Sequence, residues 1–305
     1  MFKKRWVKIM TVLSVTMLFF IVIQSSVSYA LISQNAFSWY WGSDTNAAAV
    51  ATGDVDGDGK TEIVTGGYSN DLTRWNAFVT VLNGSTFAPL KTLGWYWAYD
   101  TQVASVAIGD TTGDGKLEIV AGGAFFDNTR WNAFVVTLNG TTLAPLNVLT
   151  WYWTSNTQVA SVAVGDVNGD GKGEVVAGGS FFDNTRYNAW TAILNGTTSV
   201  ALNVQSWYWV ANTYVTSVAI GNFSGGIGFD IVTGGGYHDG VKNNAFSVAW
   251  SGATMTPLST AIWTVTSDTN AYSVALGNFG LGNRVVTAGS YFDLSRTNAQ
   301  VAIWG

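Results

Sequence analysis

The chain repeats itself every 56 residues, and that period limits what it can fold into. The tripeptide Trp-Tyr-Trp begins at Trp39, Trp95, Trp151 and Trp207 and decays to Trp263-Thr264-Val265. An acidic stretch, D-V-D-G-D-G-K-T-E at 54–62, returns as D-T-T-G-D-G-K-L-E at 110–118 and D-V-N-G-D-G-K-G-E at 166–174. Two more copies keep the phase at Gly221-Asn222-Phe223 and Gly277-Asn278-Phe279 but lose most of the acids; Asp230 survives near the closing position of the fourth. A fixed period near 50 residues marks a repeat architecture, in which one small unit buries its apolar face only by stacking on its neighbours. Residues 31–305 accommodate five units of this length.

Each unit contains four strand-like runs, in the second unit 104–108, 117–121, 133–138 and 146–153. The first two flank the acidic stretch. The third ends at Asn139-Gly140, a favoured hairpin dipeptide. The fourth ends in Trp151-Tyr152-Trp153. No helical periodicity appears after residue 30. Four strands per unit, repeated radially, predict an all-β fold: a five-bladed β-propeller of four-stranded blades, one domain over 31–305. The chain is out of phase with its blades. Residues 35–41 read as a lone fourth strand, and the chain stops at 298–304, a third strand. The N-terminal strand is therefore expected to complete the last blade and close the ring, leaving no unpaired edge. The Trp residues at i and i+2 share one strand face, so they are expected to form core between blades, not a sugar platform.

In 54–62, oxygen-bearing side chains fall at positions 1, 3, 5 and 9, with Gly at position 6. One tight loop can then aim several oxygens at a single hard cation, and Ca²⁺ takes six to eight of them. The ligands assigned are the side chains of Asp54, Asp56, Asp58 and Glu62 and the carbonyl of Lys60. An EF-hand places its last carboxylate at position 12 and runs on into a helix; here it falls at position 9, inside the strand-like T-E-I-V-T. Glu62, Glu118 and Glu174 are the only Glu in the chain, and all three hold that closing position. Three calcium sites are expected.

The chain has no Cys, so a disulfide framework is impossible and metal is the more plausible staple. Four of its 14 bases lie in the first 30 residues, so 31–305 carries 10 bases against 19 acids, a net −9. Ten of those acids sit in the three loops, and such a balance argues against nucleic acid. Lys3, Lys4, Arg5 and Lys8 precede an apolar run at 9–23, and Ser28-Tyr29-Ala30 offers small residues for cleavage. Residues 1–30 read as a secretory signal peptide, with an uncleaved membrane anchor as the alternative. Both readings place 31–305 outside the cytoplasm, secreted or on the cell surface.

The block D-x-[DN]-G-D-G-K-x-E-[IV]-V-x-G-G resembles the FG-GAP repeat, also described as the VCBS-type repeat, of integrin α-subunit propellers and many secreted microbial proteins. By that resemblance the calcium ligands also include Asp110, Thr112, Asp114, Lys116 and Glu118, and Asp166, Asn168, Asp170, Lys172 and Glu174. Two departures stand out. Gly66-Gly67-Tyr68 replaces the Gly-Ala-Pro element, and the blade count is five where integrin-type propellers have seven. The resemblance implies an extracellular recognition or adhesion module without naming its partner.

Catalysis is not expected. A Ser-His-Asp triad would need the single His, His238, and no nucleophile motif accompanies it. Two binding readings stand: a module for an extracellular protein, or a lectin with equivalent glycan sites. Sequons at Asn83, Asn139 and Asn195 fall in third-to-fourth turns, expected on the face of the acidic loops, with turn chemistry preferred over glycosylation. The ligand face is expected opposite. There the second-to-third connections repeat Asp71-Arg74-Asn76, Asp127-Arg130-Asn132 and Asp183-Arg186-Asn188, with Phe125, Phe126, Trp131, Phe181, Phe182 and Tyr187 beside them. The competing reading, preferred for these residues, is an Asp–Arg pair that orders each connection, with Asn joining the strand that follows.

Overall fold

Among the residues that the computed structural model describes (38, 39, 41, 43–226, 228–265, 267–278, 282–293 and 295–305), nineteen strands form five antiparallel sheets. The first holds β1 (Thr45–Gly53), β2 (Glu62–Asn70), β3 (Trp75–Asn83) and β4 (Pro89–Trp95). The second holds β5 (Thr101–Gly109), β6 (Glu118–Phe126), β7 (Trp131–Asn139) and β8 (Pro145–Trp151). The third holds β9 (Thr157–Gly165), β10 (Glu174–Phe182), β11 (Tyr187–Leu194) and β12 (Ala201–Trp207). The fourth holds β13 (Thr213–Gly221), β14 (Asp230–His238), β15 (Asn243–Trp250) and β16 (Pro257–Trp263). The fifth has three strands, β17 (Thr269–Asn278), β18 (Asn283–Phe292) and β19 (Thr297–Trp304), so it lacks a fourth as the phase predicted. In every sheet the strands are ordered as in the chain. Trp39–Gly305 forms one compact unit; of Met1–Ser38 only Ser38 is described. The leader at 1–30 and most of the 35–41 strand lie outside the described residues.

Second strands are longer than expected. The run at 117–121 continues as β6 through Gly122-Gly123 to Phe126, because these glycines serve close approach and do not end the strand. A Cβ on Gly122 would stand 2.5 Å from Val162 Cγ1 of the next sheet. One on Gly123 would stand 2.0 Å from the carbonyl oxygen of Gln102 on β5, beside a register shift between Val103 and Ser105. The same close approaches recur at Gly66-Gly67, Gly178-Gly179 and Gly234-Gly235. Fourth strands are shorter than expected: β8 stops at Trp151, and the chain then turns with Thr154 at φ 59°.

The third-to-fourth turns also differ from a two-residue hairpin. Leu143 N donates to Asn139 O and Asn139 N donates to Ala144 O, and the left-handed residue is Leu143 at φ 60°. Asn139 Oδ1 accepts from Thr142 N and Thr142 Oγ1, each at 2.9 Å, which is the turn chemistry preferred for the sequons. Gly140 is there for space: a Cβ would stand 2.2 Å from Leu117 O and 2.6 Å from Val55 O.

The sheets pack in series, β1 against β5, β5 against β9, β9 against β13 and β13 against β17. Val64 and Val79 of the first sheet join Val103, Val106 and Ile119 of the second in one buried cluster. The Trp pairs are core between sheets, as their spacing predicted. Trp95 and Trp97, at the end of the first sheet, lie 6.1 and 5.1 Å from the ring of Phe134 on the second. Phe134 is fully buried, which contributes roughly 1.5–3 kcal/mol.

Candidate functional site

The first acidic loop joins β1 to β2. Gly57 and Gly59 adopt φ 78° and 84° with open space around them, so the requirement is backbone conformation. Asp54 bridges the turn: Oδ1 accepts from Gly57 N at 2.8 Å and Oδ2 from Gly59 N at 2.9 Å. Asp58 Oδ1 accepts from Lys60 N at 2.8 Å, and Lys60 Nζ lies 3.0 Å from Asp58 Oδ2. This folding brings one carboxylate oxygen from each of Asp54, Asp56 and Asp58 within 4.8 Å of the others.

Glu62 is almost wholly buried and near enough for their charges to act on it. Its Oε2 accepts from Val55 N at 3.1 Å, which ties the start of the loop to its end. Burial pushes its pKa up; the Val55 N–H opposes this, and the charges of Asp56, Asp58 and Asp54 add to it. A buried carboxylate crowded by three others is the electrostatic setting that a divalent cation relieves.

The second and third loops repeat the frame with fewer charges. Asp110 accepts from Gly113, Asp114 and Gly115 N–H groups, and Asp166 from Gly169, Asp170 and Gly171. Burial pushes Asp110 up, but the N–H donors of Gly115, Gly113 and Asp114 outweigh it and hold the carboxyl below its usual range. Asp114 and Asp170 cap Lys116 N and Lys172 N, each at 2.9 Å. Glu118 Oε2 accepts from Thr111 N and Oγ1, and Glu174 Oε2 from Val167 N. Asn168 Nδ2 donates to Glu174 Oε1 at 3.0 Å. The Thr112 hydroxyl is buried without a hydrogen-bond partner, an oxygen in want of a cation or donor. The donors are hard oxygens gathered on short, tightly turned loops, so the residues present fit Ca²⁺.

The degenerate loops show what the closing position does without the inner acids. Asp230 pairs with Gly221 as Glu62 pairs with Gly53, and its Oδ2 accepts from Phe223 N at 3.0 Å and Ser224 N at 2.6 Å. Thus the closing acid still ties the loop. In the fifth sheet the residue opposite Gly277 is Arg284, a cation where the others carry a carboxylate.

The loops also join one sheet to the next. Val55 is buried in the cluster that holds Leu138 and Leu143, and Val167 in the one that holds Trp250 and Met255. Thr197 Oγ1 donates to Thr111 O at 3.2 Å. Sequon turns and acidic loops therefore lie side by side, as the strand directions implied.

The second-to-third connections are ordered differently from the expected Asp–Arg pairing. Asp127 Oδ1 accepts from Thr129 N at 2.8 Å, Thr129 Oγ1 at 2.5 Å and Arg130 N at 2.9 Å. The Thr129 hydroxyl leads the groups that hold this carboxyl far below its usual range; burial opposes them, and Asn132 and the backbone assist. Asp71 and Asp183 make the same bonds to Thr73 and Thr185. Asn188 Nδ2 donates to Asp183 Oδ2 at 3.0 Å, Asn132 Nδ2 to Arg130 O at 3.2 Å and Asn76 Nδ2 to Arg74 O at 3.4 Å. The guanidinium groups go elsewhere. Arg74, Arg130 and Arg186 lie over Tyr96, Tyr152 and Tyr208, 4.4, 4.4 and 4.5 Å from the ring centroids. Each also donates to a backbone carbonyl of the following connection, Ala98, Thr154 or Val210. A short carboxylate is saturated by its own turn, so the long Arg side chain reaches the aromatic face instead. Among the described residues, only Arg296 and Asp293 pair within one connection, at 3.4 Å.

The stacking tyrosines were missed in the sequence, although Trp-Tyr-Trp contains their signal: the residue between two inward Trp points outward. The aromatics beside the motif divide. Phe125 and Phe181 pack on Trp97 and Trp153 in the core, whereas Phe126 meets Trp131 and Phe182 meets Tyr187.

Residues 54–121 match the model of the FG-GAP-like repeat, and residues 159–190 that of the FG-GAP repeat. All three complete acidic loops fall inside the matched segments. No curated protein is significantly similar to the chain. These two segments are FG-GAP-type repeats, as the loop motif suggested.

Proposed function

We propose that this chain is an extracellular, calcium-stabilised recognition module: a five-bladed β-propeller, closed through its N-terminal strand, that binds a protein partner and is not an enzyme. The observation that carries the calcium reading is the convergence of Asp54, Asp56 and Asp58, whose charges also act on the buried Glu62. Asp110, Thr112, Asp114 and Glu118, and Asp166, Asn168, Asp170 and Glu174, supply weaker versions of the same site, with carbonyl donors from Lys60, Lys116 and Lys172. Ligand charge tunes affinity, so the first loop binds tightest. Calcium saturating at 100 times its Kd adds about 2.7 kcal/mol per site if only the folded chain binds it. The test is a melting curve in calcium and in chelator: a clear rise with calcium is expected, and identical curves would refute the reading.

The serial packing of the sheets and the three-stranded last sheet support a closed ring. Trp39 and Trp41 lie 6.2 and 4.9 Å from Phe78, the way Trp95 and Trp97 meet Phe134, which supports a fourth-strand role for 35–41. The non-catalytic reading draws on His238, whose Nδ1 accepts from Gly240 N in its own turn. The basic residues and apolar run of the leader support export. The partner docks on the face of Arg74, Arg130 and Arg186, where guanidinium groups and exposed tyrosines alternate.

A further inference from the structure

Among the described residues, the first unit departs from the other four where its second strand meets the third. The position opposite the connection Asn on the second strand is aromatic in four sheets: Phe125 opposite Asn132, Phe181 opposite Asn188, Tyr237 opposite Asn244 and Tyr291 opposite Asn298. In the first sheet it is Ser69, opposite Asn76. A second truncation lies close by. The fourth-strand residue paired with the core aromatic is Thr150, Ser206 or Ile262 in sheets two to four, and Gly94 in the first.

The two truncations act on the same space. In sheets two to four the aromatic ring covers the second Trp of the preceding pair, at 5.4 Å for Trp97–Phe125, 5.4 Å for Trp153–Phe181 and 5.3 Å for Trp209–Tyr237. Ser69 leaves Trp41 without that cover, and Trp41 is 37% exposed. What opens is a cleft of about 340 Å³ lined by Trp41, Ser69, Asp71, Asn76, Phe78 and Gly94 among others. That size falls within the range of small-ligand sites, roughly 300–1,000 Å³.

We infer that this cleft is a binding site for one neutral pyranose sugar. An indole wall offers the apolar face on which the C–H side of a sugar ring rests. The polar groups stand on one side: the Asp71 carboxylate, the Asn76 amide and the Ser69 hydroxyl. Asp71 Oδ1 is taken by Thr73 and Arg74, and the Asn76 side chain also hydrogen-bonds the carboxyl group, which fixes both polar groups in place. A rigid carboxylate beside an amide suits adjacent hydroxyl groups, one donating and one accepting. No cationic side chain lines the cleft, and Asp71 is a fixed negative charge, so sialic and uronic acids are excluded. The site is single, because the other four units keep the covering aromatic. It goes beyond the recognition reading above: it shares Asp71 and Asn76 with the connections of that face but uses neither the acidic loops nor the stacked arginine side chains.

The test is titration of the full chain with glucose, galactose, mannose and N-acetylglucosamine and with their methyl glycosides, read by tryptophan fluorescence and calorimetry in calcium buffer. At least one neutral pyranose is expected to bind with one equivalent per chain. Ser69→Phe, which restores the residue of the second and third units, is expected to weaken it roughly tenfold or more with no loss of melting temperature. Gly94→Thr, on an exposed strand, gives the same result by a milder change if Ser69→Phe fails to fold. Phe125→Ser with Thr150→Gly is expected to add a second equivalent. No binding by any of the eight compounds, several equivalents in the unaltered chain, or affinity unchanged in both folded filling variants would overturn the proposal. A melting curve indifferent to calcium in the same samples would sink the calcium reading and leave this one standing.

Discussion

Glu62 is a structural acceptor for Val55 N and, on the calcium reading proposed above, also a metal ligand; the two roles separate on substitution. Its folded pKa is raised, first by burial, above the ordinary value near 4.3. For an acid this means that its ionised form opposes folding. In chelator, its contribution is intact below the ordinary value and is lost as pH rises through the raised one. Glu62→Gln keeps an oxygen for Val55 N and removes the charge. In chelator at pH 7 the variant is expected to melt at or above the parent and with a flatter pH dependence. In calcium it is expected to gain less, since each tenfold loss of affinity removes about 1.4 kcal/mol of linked stability. A variant with the full calcium-induced rise would remove Glu62 from the site.

At the scale of strands and turns, glycine pairs and arginine stacks set the geometry. Gly123→Ala would drive a methyl into the Gln102 carbonyl, where backbone has no means to yield. The expected cost is at least about 1–3 kcal/mol, visible in chemical denaturation. The same change at Gly94 meets only Ala77 O, at 3.7 Å, and is expected to be neutral or mildly stabilising. Equal costs at the two sites would show that close approach is not what β6 requires. The arginines behave otherwise. Replacing Arg74, Arg130 and Arg186 together by Ala removes three exposed stacks worth about 0.5–1 kcal/mol each. A modest fall in melting temperature with lost partner binding is expected. Retained binding in that folded variant would reject this face as the docking site.

Across the whole molecule, the closed ring proposed above calls for a cover at the start of the series of sheets and a fourth strand at its end. Phe78 is almost fully buried beneath Trp39 and Trp41, and β19 pairs with β18 alone among the described strands. Deleting 31–41 removes Trp39 and Trp41 from Phe78 and, on the closed-ring reading, leaves the last sheet an open edge. The truncated chain is expected to aggregate and melt lower, by light scattering and calorimetry. A monomer with an unchanged melting temperature would refute closure through this segment.

Periodicity alone determined the number of sheets, their strand order, the missing strand of the last one and the positions of the acidic loops. These are local facts: alternation and turn residues act over a few positions, and repetition reports them five times. The inward course of the Trp pairs was equally legible, because i and i+2 share a face on any strand. What the sequence did not disclose depends on which groups meet across 22 to 85 residues. Asp127 is satisfied by Thr129 within its turn, so Arg130 crosses to Tyr152. Gly140, which reads as a hairpin glycine, is small because Val55 and Leu117 carbonyls press on it. Ser69 and Gly94 look like ordinary variation until register sets both beside Trp41. Strand register and the bulge opposite each glycine pair decide those meetings, and both arise only when whole sheets pack on one another.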